Sequence, residues 1–137
     1  MQIVRAVSRP SQPGPAEWFT GSVFLDPIGA APPDVSTRAA RVTFAPGART
    51  AWHTHPHGQA LHVELGLCLV GRDDGTVERL HPGDGAWFVP GENHWHGAGP
   101  DTVMVHLAVQ QADETGSVAA WGVHVTEAEY TRAGHHG

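Results

Sequence analysis

The side chains best suited to chemistry lie in a short motif in which His53, His55 and Gln59 follow one another at spacings of two and four. Alternate residues of a β-strand point to the same face, roughly 6.5–7 Å apart, so His53 and His55 can lean onto one ion. Pro56 and Gly58 are expected to end the strand, because proline cannot donate to a sheet ladder and glycine permits a turn. Gln59 can then return beside the two imidazoles as an oxygen ligand.

A second histidine-containing stretch, residues 92–96, lies further along the chain and contains His94 and His96. We expect it on a neighbouring strand, where it can supply a fourth ligand. Three imidazoles and a neutral amide oxygen would leave a divalent cation its full charge, whereas a carboxylate ligand would reduce it. Such a set with two open octahedral positions suits Mn(II), Fe(II), Co(II) or Ni(II) better than closed tetrahedral zinc.

Short segments of alternating hydrophobicity, separated by turn-forming residues, must position these motifs. They predict an all-β sandwich or barrel. The predicted strands are 18–26, 38–44, the His53/His55 segment, 59–70, 76–80, 86–89, the His94/His96 segment, 102–110 and 123–125. Thr126 and Glu129 form a capping box that predicts a short C-terminal helix over 126–134. Residues 1–17, rich in proline, are expected to form an irregular arm.

Composition limits the class of protein. The 137 residues suit a single domain over 1–137, with the barrel at 18–125. A formal charge of −6 argues against nucleic acid and anionic membranes as partners. The single cysteine excludes a disulfide framework. Because the apolar runs are too short to cross a bilayer and residues 1–5 lack a signal-peptide pattern, we expect a cytoplasmic protein. His135 and His136 are expected on a disordered surface.

Two longer patterns carry a family resemblance. Gly47-x5-His53-x-His55-x3-Gln59-x6-Gly66 resembles the first motif of the cupins, and Gly83-x5-Val89-Pro90-Gly91-x2-His94 resembles the second. Segments 15–21, 42–56, 81–84, 90–97 and 121–130 are similar to the bacterial manganese-dependent cupin hydroxynitrile lyases. The resemblance implies a single-domain double-stranded β-helix, which is a jelly-roll barrel. It also implies that His53, His55, Gln59 and His94 hold manganese, whereas the residues alone leave Fe(II), Co(II), Ni(II) or Zn(II) open.

The same resemblance assigns the substrate pocket. It implies pocket positions at Ala40, Val42, His96, His106 and Gln110, and alternation adds Phe44 to the face of Ala40 and Val42. We expect His106 to take the hydroxyl proton of an aromatic cyanohydrin such as mandelonitrile, and His96 and Gln110 to receive cyanide. Small side chains at Ala40 and Val42 would leave room for the aromatic ring. The chain departs from the family at two positions, His57 and His62.

Two other functions remain open at this point. The same open coordination positions could bind dioxygen in a dioxygenase, or in another C–C-cleaving enzyme, that acts on an enolic or aromatic substrate. A non-catalytic cupin would bind a small metabolite without turnover. The N-terminal segment resembles one that pairs across subunits in small cupins, so we expect a homodimer or homotetramer that binds a small-molecule substrate.

Overall fold

The computed structural model describes residues 1–29 and 31–135. The described strands pair with one another in the antiparallel sense. In chain order the elements are a 3-10 turn (Ala6–Ser8), β1 (Gln12–Pro13), β2 (Phe19–Thr20), β3 (Val23–Pro27), β4 (Thr37–Phe44), β5 (Arg49–Thr50), β6 (His53–Thr54), β7 (Gln59–Leu65), β8 (Cys68–Arg72), β9 (Val77–Leu80), β10 (Gly85–Phe88), β11 (His94–Ala98), β12 (Met104–Gln111), β13 (Ala120–Trp121) and α1 (Glu127–His135).

The strands form two sheets. The first sheet has the order β1-β3-β4-β12-β7-β10, and the second runs β13-β6-β11-β5-β2, with β8 also on β11 and β9 on β8. Apolar side chains from both sheets share one buried cluster, which includes Val42 and Val63 from the first sheet and Val70 and Ala98 from the second. This arrangement is a jelly-roll barrel. The predicted all-β, single-domain fold with a short C-terminal helix is confirmed.

The centre of the first sheet is the part that positions a site. On β12 the side chains alternate between buried and less buried, as a strand with one face on a core requires. His106 lies opposite Val42 of β4 and Val63 of β7 in the register. Gln110 lies opposite Gln59 of β7. The pairing therefore brings residues from distant parts of the chain to one inner face.

Two long predicted strands are each broken by a glycine. Segment 18–26 is divided into β2 and β3 at Gly21 (φ 84°), and segment 59–70 into β7 and β8 at Gly66 (φ 78°). Glycine adopts a positive φ readily, whereas the extended conformation of a strand requires a negative φ. β7 and β8 consequently belong to different sheets. The sequence alternation continues across Gly66, which is why a single strand was predicted there.

The ends of the chain differ from prediction in detail. Residues 123–125 were predicted to form a strand and do not. The last strand in the described part of the chain is β13, which begins three residues before that segment, at Ala120. The N-terminal arm is more regular than expected, since β1 pairs with β3. His55 lies just outside β6. The helix α1 is assigned as far as His135, and His136 lies outside the described residues.

The C-terminal helix begins with the capping box that its sequence predicts, and side-chain bonds attach the helix to the barrel. The Thr126 hydroxyl accepts a bond from the Glu129 amide (3.1 Å), and the Glu129 carboxylate accepts one from the Thr126 amide (3.1 Å), which is a capping box. The buried Arg49 side chain bonds Glu127 at 2.9 Å, and the Tyr130 hydroxyl donates to the Ala98 carbonyl at 2.7 Å. No helix within the described residues has the length and apolar character needed to cross a membrane.

Gly66 should be far less replaceable than a glycine of similar conformation in an open turn. A Cβ at Gly66 would run into the Val103 carbonyl, whereas at Gly75 (φ 84°) a Cβ would meet no atom of the described chain within 4 Å. We expect Gly75→Ala to cost about 1–2 kcal/mol of unfolding free energy, because only the left-handed conformation is penalised. Gly66→Ala should cost more than about 3 kcal/mol in urea denaturation. Equal losses would contradict the steric role of Gly66.

Candidate metal site

A cavity of about 350 Å³ lies among side chains of the two sheets. Its size is within the range of small-molecule sites, roughly 300–1,000 Å³. Apolar and polar groups share its wall. The apolar set includes Trp18, Phe19, Leu25, Ala40, Val42, Phe44, Ala108 and Trp121, and the polar set includes Thr50, His53, His55, Gln59, His96, His106 and Gln110.

Three buried histidines beside this cavity share one hydrogen-bonding pattern. In each, Nδ1 lies at hydrogen-bond distance from a backbone carbonyl, and a carbonyl can only accept. Nδ1 must therefore carry the proton, and Nε2 must carry the lone pair. The carbonyls are those of Ala51 for His53 (2.9 Å), Val118 for His55 (2.8 Å) and Glu92 for His94 (2.9 Å).

The amide of Gln59 is oriented by a comparable contact. Its nitrogen donates to Gln110 Oε1 at 2.7 Å, so its Oε1 is left as an acceptor. Within residues 1–29 and 31–135, the buried Nε2 atoms of His55 and His94 and the buried Oε1 of Gln59 have no hydrogen-bond partner. We call these three atoms the open acceptors. Each buried acceptor without a partner costs about 1–3 kcal/mol, and three such atoms side by side fit a site that binds a ligand.

The three rings lie close to one another. Ring centroids are 4.9 Å apart for His53 and His55, 4.3 Å for His53 and His94, and 5.3 Å for His55 and His94. Lone pairs of neutral imidazoles and an amide oxygen are ligands for a divalent transition metal. These residues therefore fit such a cation.

His96 is also close to this group. Nitrogens of His53, His94 and His96 lie within 4.8 Å of one another, which makes them the tightest set of possible ligand atoms among the described histidines, cysteines and acidic residues. His96 differs from the other histidines in its contacts, because its Nδ1 lies 3.2 Å from His106 Nε2 instead of on a backbone carbonyl. Metal-ligating histidines usually donate their second N–H to a carbonyl, a carboxylate or water. By that criterion His55 is the better third ligand.

Burial keeps these imidazoles neutral. Loss of solvation lowers the pKa of His53, His55, His94, His96 and His106 below the ordinary value, and the pKa of His94 and His106 falls to about 4. Neighbouring imidazoles lower the pKa of His53 and His96 further, since two positive rings would repel. At neutral pH each ring keeps a lone pair for a metal or a proton.

The remaining sequence-predicted positions divide into two groups. Ala40, Val42, Phe44, His96, His106 and Gln110 line the cavity. His57 and His62 are exposed and do not line it.

Sequence reasoning missed the strap that closes one side, which we define as residues 113–121. Within it Ser117, Val118 and Ala119 line the cavity, and the Trp121 ring stacks on His53 at 4.5 Å. A two-residue strand and a backbone carbonyl leave no pattern in the sequence that would have identified them.

A profile of the cupin domain matches residues 40–109, which is more than half of the chain. The chain belongs to the cupin family. A Granulicella tundricola protein named (R)-mandelonitrile lyase is 52% identical over 132 residues, which cover 96% of this cupin and 100% of that protein.

Solved structures agree on the fold. A cupin-like protein from Thermotoga maritima matches with a TM-score of 0.84 at 34% identity, over 91% of this chain and 94% of that one. The polyketide cyclase RemF from Streptomyces resistomycificus matches with a TM-score of 0.72 at 20% identity, over 97% and 98% of the two chains. At 20% identity the second likeness supports the fold alone.

The buried histidines should make the metal-free protein acid-sensitive. Their folded-state pKa values lie below the unfolded value of about 6.5, so the unfolded chain binds more protons as the pH falls, and stability falls with it. Stability should be complete above about pH 7 and should decline progressively below about pH 6.5. Calorimetry of metal-free protein should show a lower Tm at about pH 5.5 than at about pH 7.5.

His62→Ala supplies the control, because this histidine is exposed. The variant should show the same decline as the unmodified protein. A Tm that stays constant or rises on acidification would contradict burial of neutral imidazoles.

Proposed function

We propose that this cupin is a metal-dependent hydroxynitrile lyase that cleaves aromatic cyanohydrins such as mandelonitrile to an aldehyde and cyanide, and joins them in the reverse direction. The open acceptors beside an apolar cavity carry the proposal. The high identity to a protein named (R)-mandelonitrile lyase supports it independently.

The proposed metal ligands are His53, His55 and His94 through Nε2, and Gln59 through Oε1. The three histidines are supported by their matching bonds to backbone carbonyls, and Gln59 by the bond that points its nitrogen at Gln110. We propose Mn(II) as the ion, with Fe(II), Co(II), Ni(II) or Zn(II) as alternatives. A cation bound there would supply Lewis acidity that lowers the pKa of a substrate hydroxyl.

His106 and His96 form the proposed proton-transfer pair. One hydrogen bond joins His106 Nε2 to His96 Nδ1, and in the part of the chain that the structure describes, His106 Nδ1 and His96 Nε2 have no partner. We assign the tautomer in which His106 Nε2 donates. In that tautomer His106 Nδ1 holds a lone pair that can take a proton, and His96 Nε2 holds an N–H that can donate.

The two imidazoles can account for every proton transfer in the reaction. The cyanohydrin hydroxyl gives its proton to His106 Nδ1, and its oxygen forms the carbonyl as the C–C bond breaks. The bonding pair leaves with cyanide, which accepts hydrogen bonds from His96 Nε2 and from the amide nitrogen of Gln110. The proton held by His106 then passes to cyanide, so hydrogen cyanide leaves and the pair returns to its neutral state.

The apolar part of the cavity is the proposed seat of the aromatic ring. The Phe44 ring lies 5.3 Å from the His106 ring and 6.0 Å from the His96 ring, so an apolar wall adjoins the proton-transfer pair. Ala40 and Val42 line the same cavity with small side chains. This wall excludes water from the imidazoles and leaves space for a phenyl group.

The direct test is mandelonitrile cleavage by protein with confirmed manganese content, followed through the absorbance of benzaldehyde. We expect release above the buffer rate. His106→Ala should keep manganese and lose about 10²–10⁴-fold in kcat, because a positioned general base contributes that much. His94→Ala should lose both manganese and activity.

His62→Ala is the matched control and should retain manganese and activity, since its side chain lies outside the cavity. Manganese-loaded protein that releases no benzaldehyde above buffer would overturn the proposal. Oxygen consumption with an enolic or aromatic substrate in the same sample would favour the dioxygenase alternative instead.

Four features stay predictions from the sequence. They are a cytoplasmic location, assembly as a homodimer or homotetramer, the absence of a nucleic-acid partner and the absence of a membrane partner.

A further inference from the structure

The strap contacts the candidate metal ligands at more than one point. Its β13 pairs with β6, which places Ala120 opposite Thr54 and Trp121 opposite His53. The Trp121 ring stacks on the His53 imidazole with an interplanar angle of 28°. The Val118 carbonyl accepts the Nδ1–H bond of His55 at 2.8 Å.

The carbonyl that accepts the His55 bond lies far from His55 along the chain, unlike the carbonyls that accept the His53 and His94 bonds. His53 and His94 bond carbonyls two residues before them, so the chain just before each strand orients the ring. The carbonyl that orients His55 lies 63 residues further along the chain. The direction of His55 Nε2 therefore depends on a separate segment being held at the correct position.

Asp113 organises the turn that leads into Val118. Its Oδ1 accepts bonds from the Thr115 amide (2.9 Å), the Thr115 hydroxyl (2.7 Å) and the Ser117 amide (2.9 Å). The Asp113 amide donates to the Ser117 carbonyl at 2.8 Å, so the turn closes at the residue before Val118. Gly116, with φ 85°, permits the reversal.

The hairpin between β8 and β9 contains the same local arrangement away from the site. Asp74 Oδ1 accepts bonds from the Thr76 amide (2.9 Å) and the Thr76 hydroxyl (2.7 Å). Asp74 and Thr76 do not line the cavity. The two turns share the pair of bonds from a threonine, and Asp113 accepts a third bond from the Ser117 amide. The strap turn is the one that leads to the carbonyl bonded to His55.

We propose that Asp113 is a positioning residue for the metal site: by closing the strap turn it holds the Val118 carbonyl on His55 Nδ1, and so keeps His55 Nε2 directed at the cation. The proposal rests on the proposed metal binding but not on the proposed lyase reaction. Asp113 would touch neither the metal nor the substrate. Its effect reaches the metal through the backbone of residues 117–118 and the His55 ring.

The test compares Mn(II) affinities by titration calorimetry for the full-length wild-type protein, Asp113→Ala, Asp113→Asn and Asp74→Ala. Partners behind a metal ligand are typically worth about 10–100-fold in affinity, so Asp113→Ala should raise the Kd for Mn(II) at least about tenfold. Asp113→Asn keeps an oxygen acceptor and should recover most of that loss. Asp74→Ala should leave the Kd unchanged.

Melting of the metal-free variants separates positioning from general damage. Both Asp113→Ala and Asp74→Ala lose the two bonds from a threonine and should lower Tm, Asp113→Ala by slightly more because it also loses the Ser117 bond, while only Asp113→Ala weakens Mn(II) binding. Unchanged affinity in Asp113→Ala, or an equal loss in Asp74→Ala, would overturn the proposal. Wild-type protein that does not bind Mn(II) would also overturn it, whereas Mn(II) binding without cyanohydrin cleavage would overturn the lyase function alone.

Discussion

The hydrogen bond from an imidazole Nδ1 to a backbone carbonyl is the interaction on which the site depends. It occurs at His53, His55 and His94, and in each case it fixes both the tautomer and the direction of the second nitrogen. Without it, each ring could rotate or present an N–H, and the open acceptors would not converge. Buried acceptors without a protein partner are costly in a folded chain, and a bound cation would offset that cost.

The jelly roll supplies the rigid frame for these bonds. β12 lies between β4 and β7, so His106 lies opposite Val42 on one side and Val63 on the other. Side-chain alternation then fixes which residues face the cavity, because a shift of one residue would expose the entire set. The second sheet contributes β6 and β11, with His53 opposite His94 in their register. Polar side chains from the two sheets therefore line the same cavity.

Much of this arrangement follows from local sequence pattern. The spacing of His53, His55 and Gln59 predicted a metal-binding turn, and alternation predicted the inner faces of β4 and β12. Strand breaks were not predictable where alternation continues, as at Gly66, because the need for a glycine there comes from its positive φ and from the distant Val103 carbonyl, which leaves no room for a Cβ. Alternation also placed His94 and His96 on one face without distinguishing ligand from pocket residue. Only the structure shows that they differ in contacts, because His94 Nδ1 bonds a backbone carbonyl and His96 Nδ1 bonds another imidazole.

The strap shows a second limit of sequence reasoning. Val118 acts through its carbonyl oxygen, which every residue possesses, so its side chain gives no sign of the contact with His55. β13 has two residues, and its pairing with β6 depends on the position of the entire barrel. Contacts made by the backbone across long chain separations become visible only in the folded molecule.

A crystal structure of manganese-loaded protein with anomalous scattering data would locate the cation and its ligands. We expect one manganese peak within bonding distance of Nε2 of His53, His55 and His94 and of Oε1 of Gln59, with His96 outside the ligand shell. A peak held by His53, His94 and His96 without His55 would contradict this expectation, as would the lack of any manganese peak at the cavity.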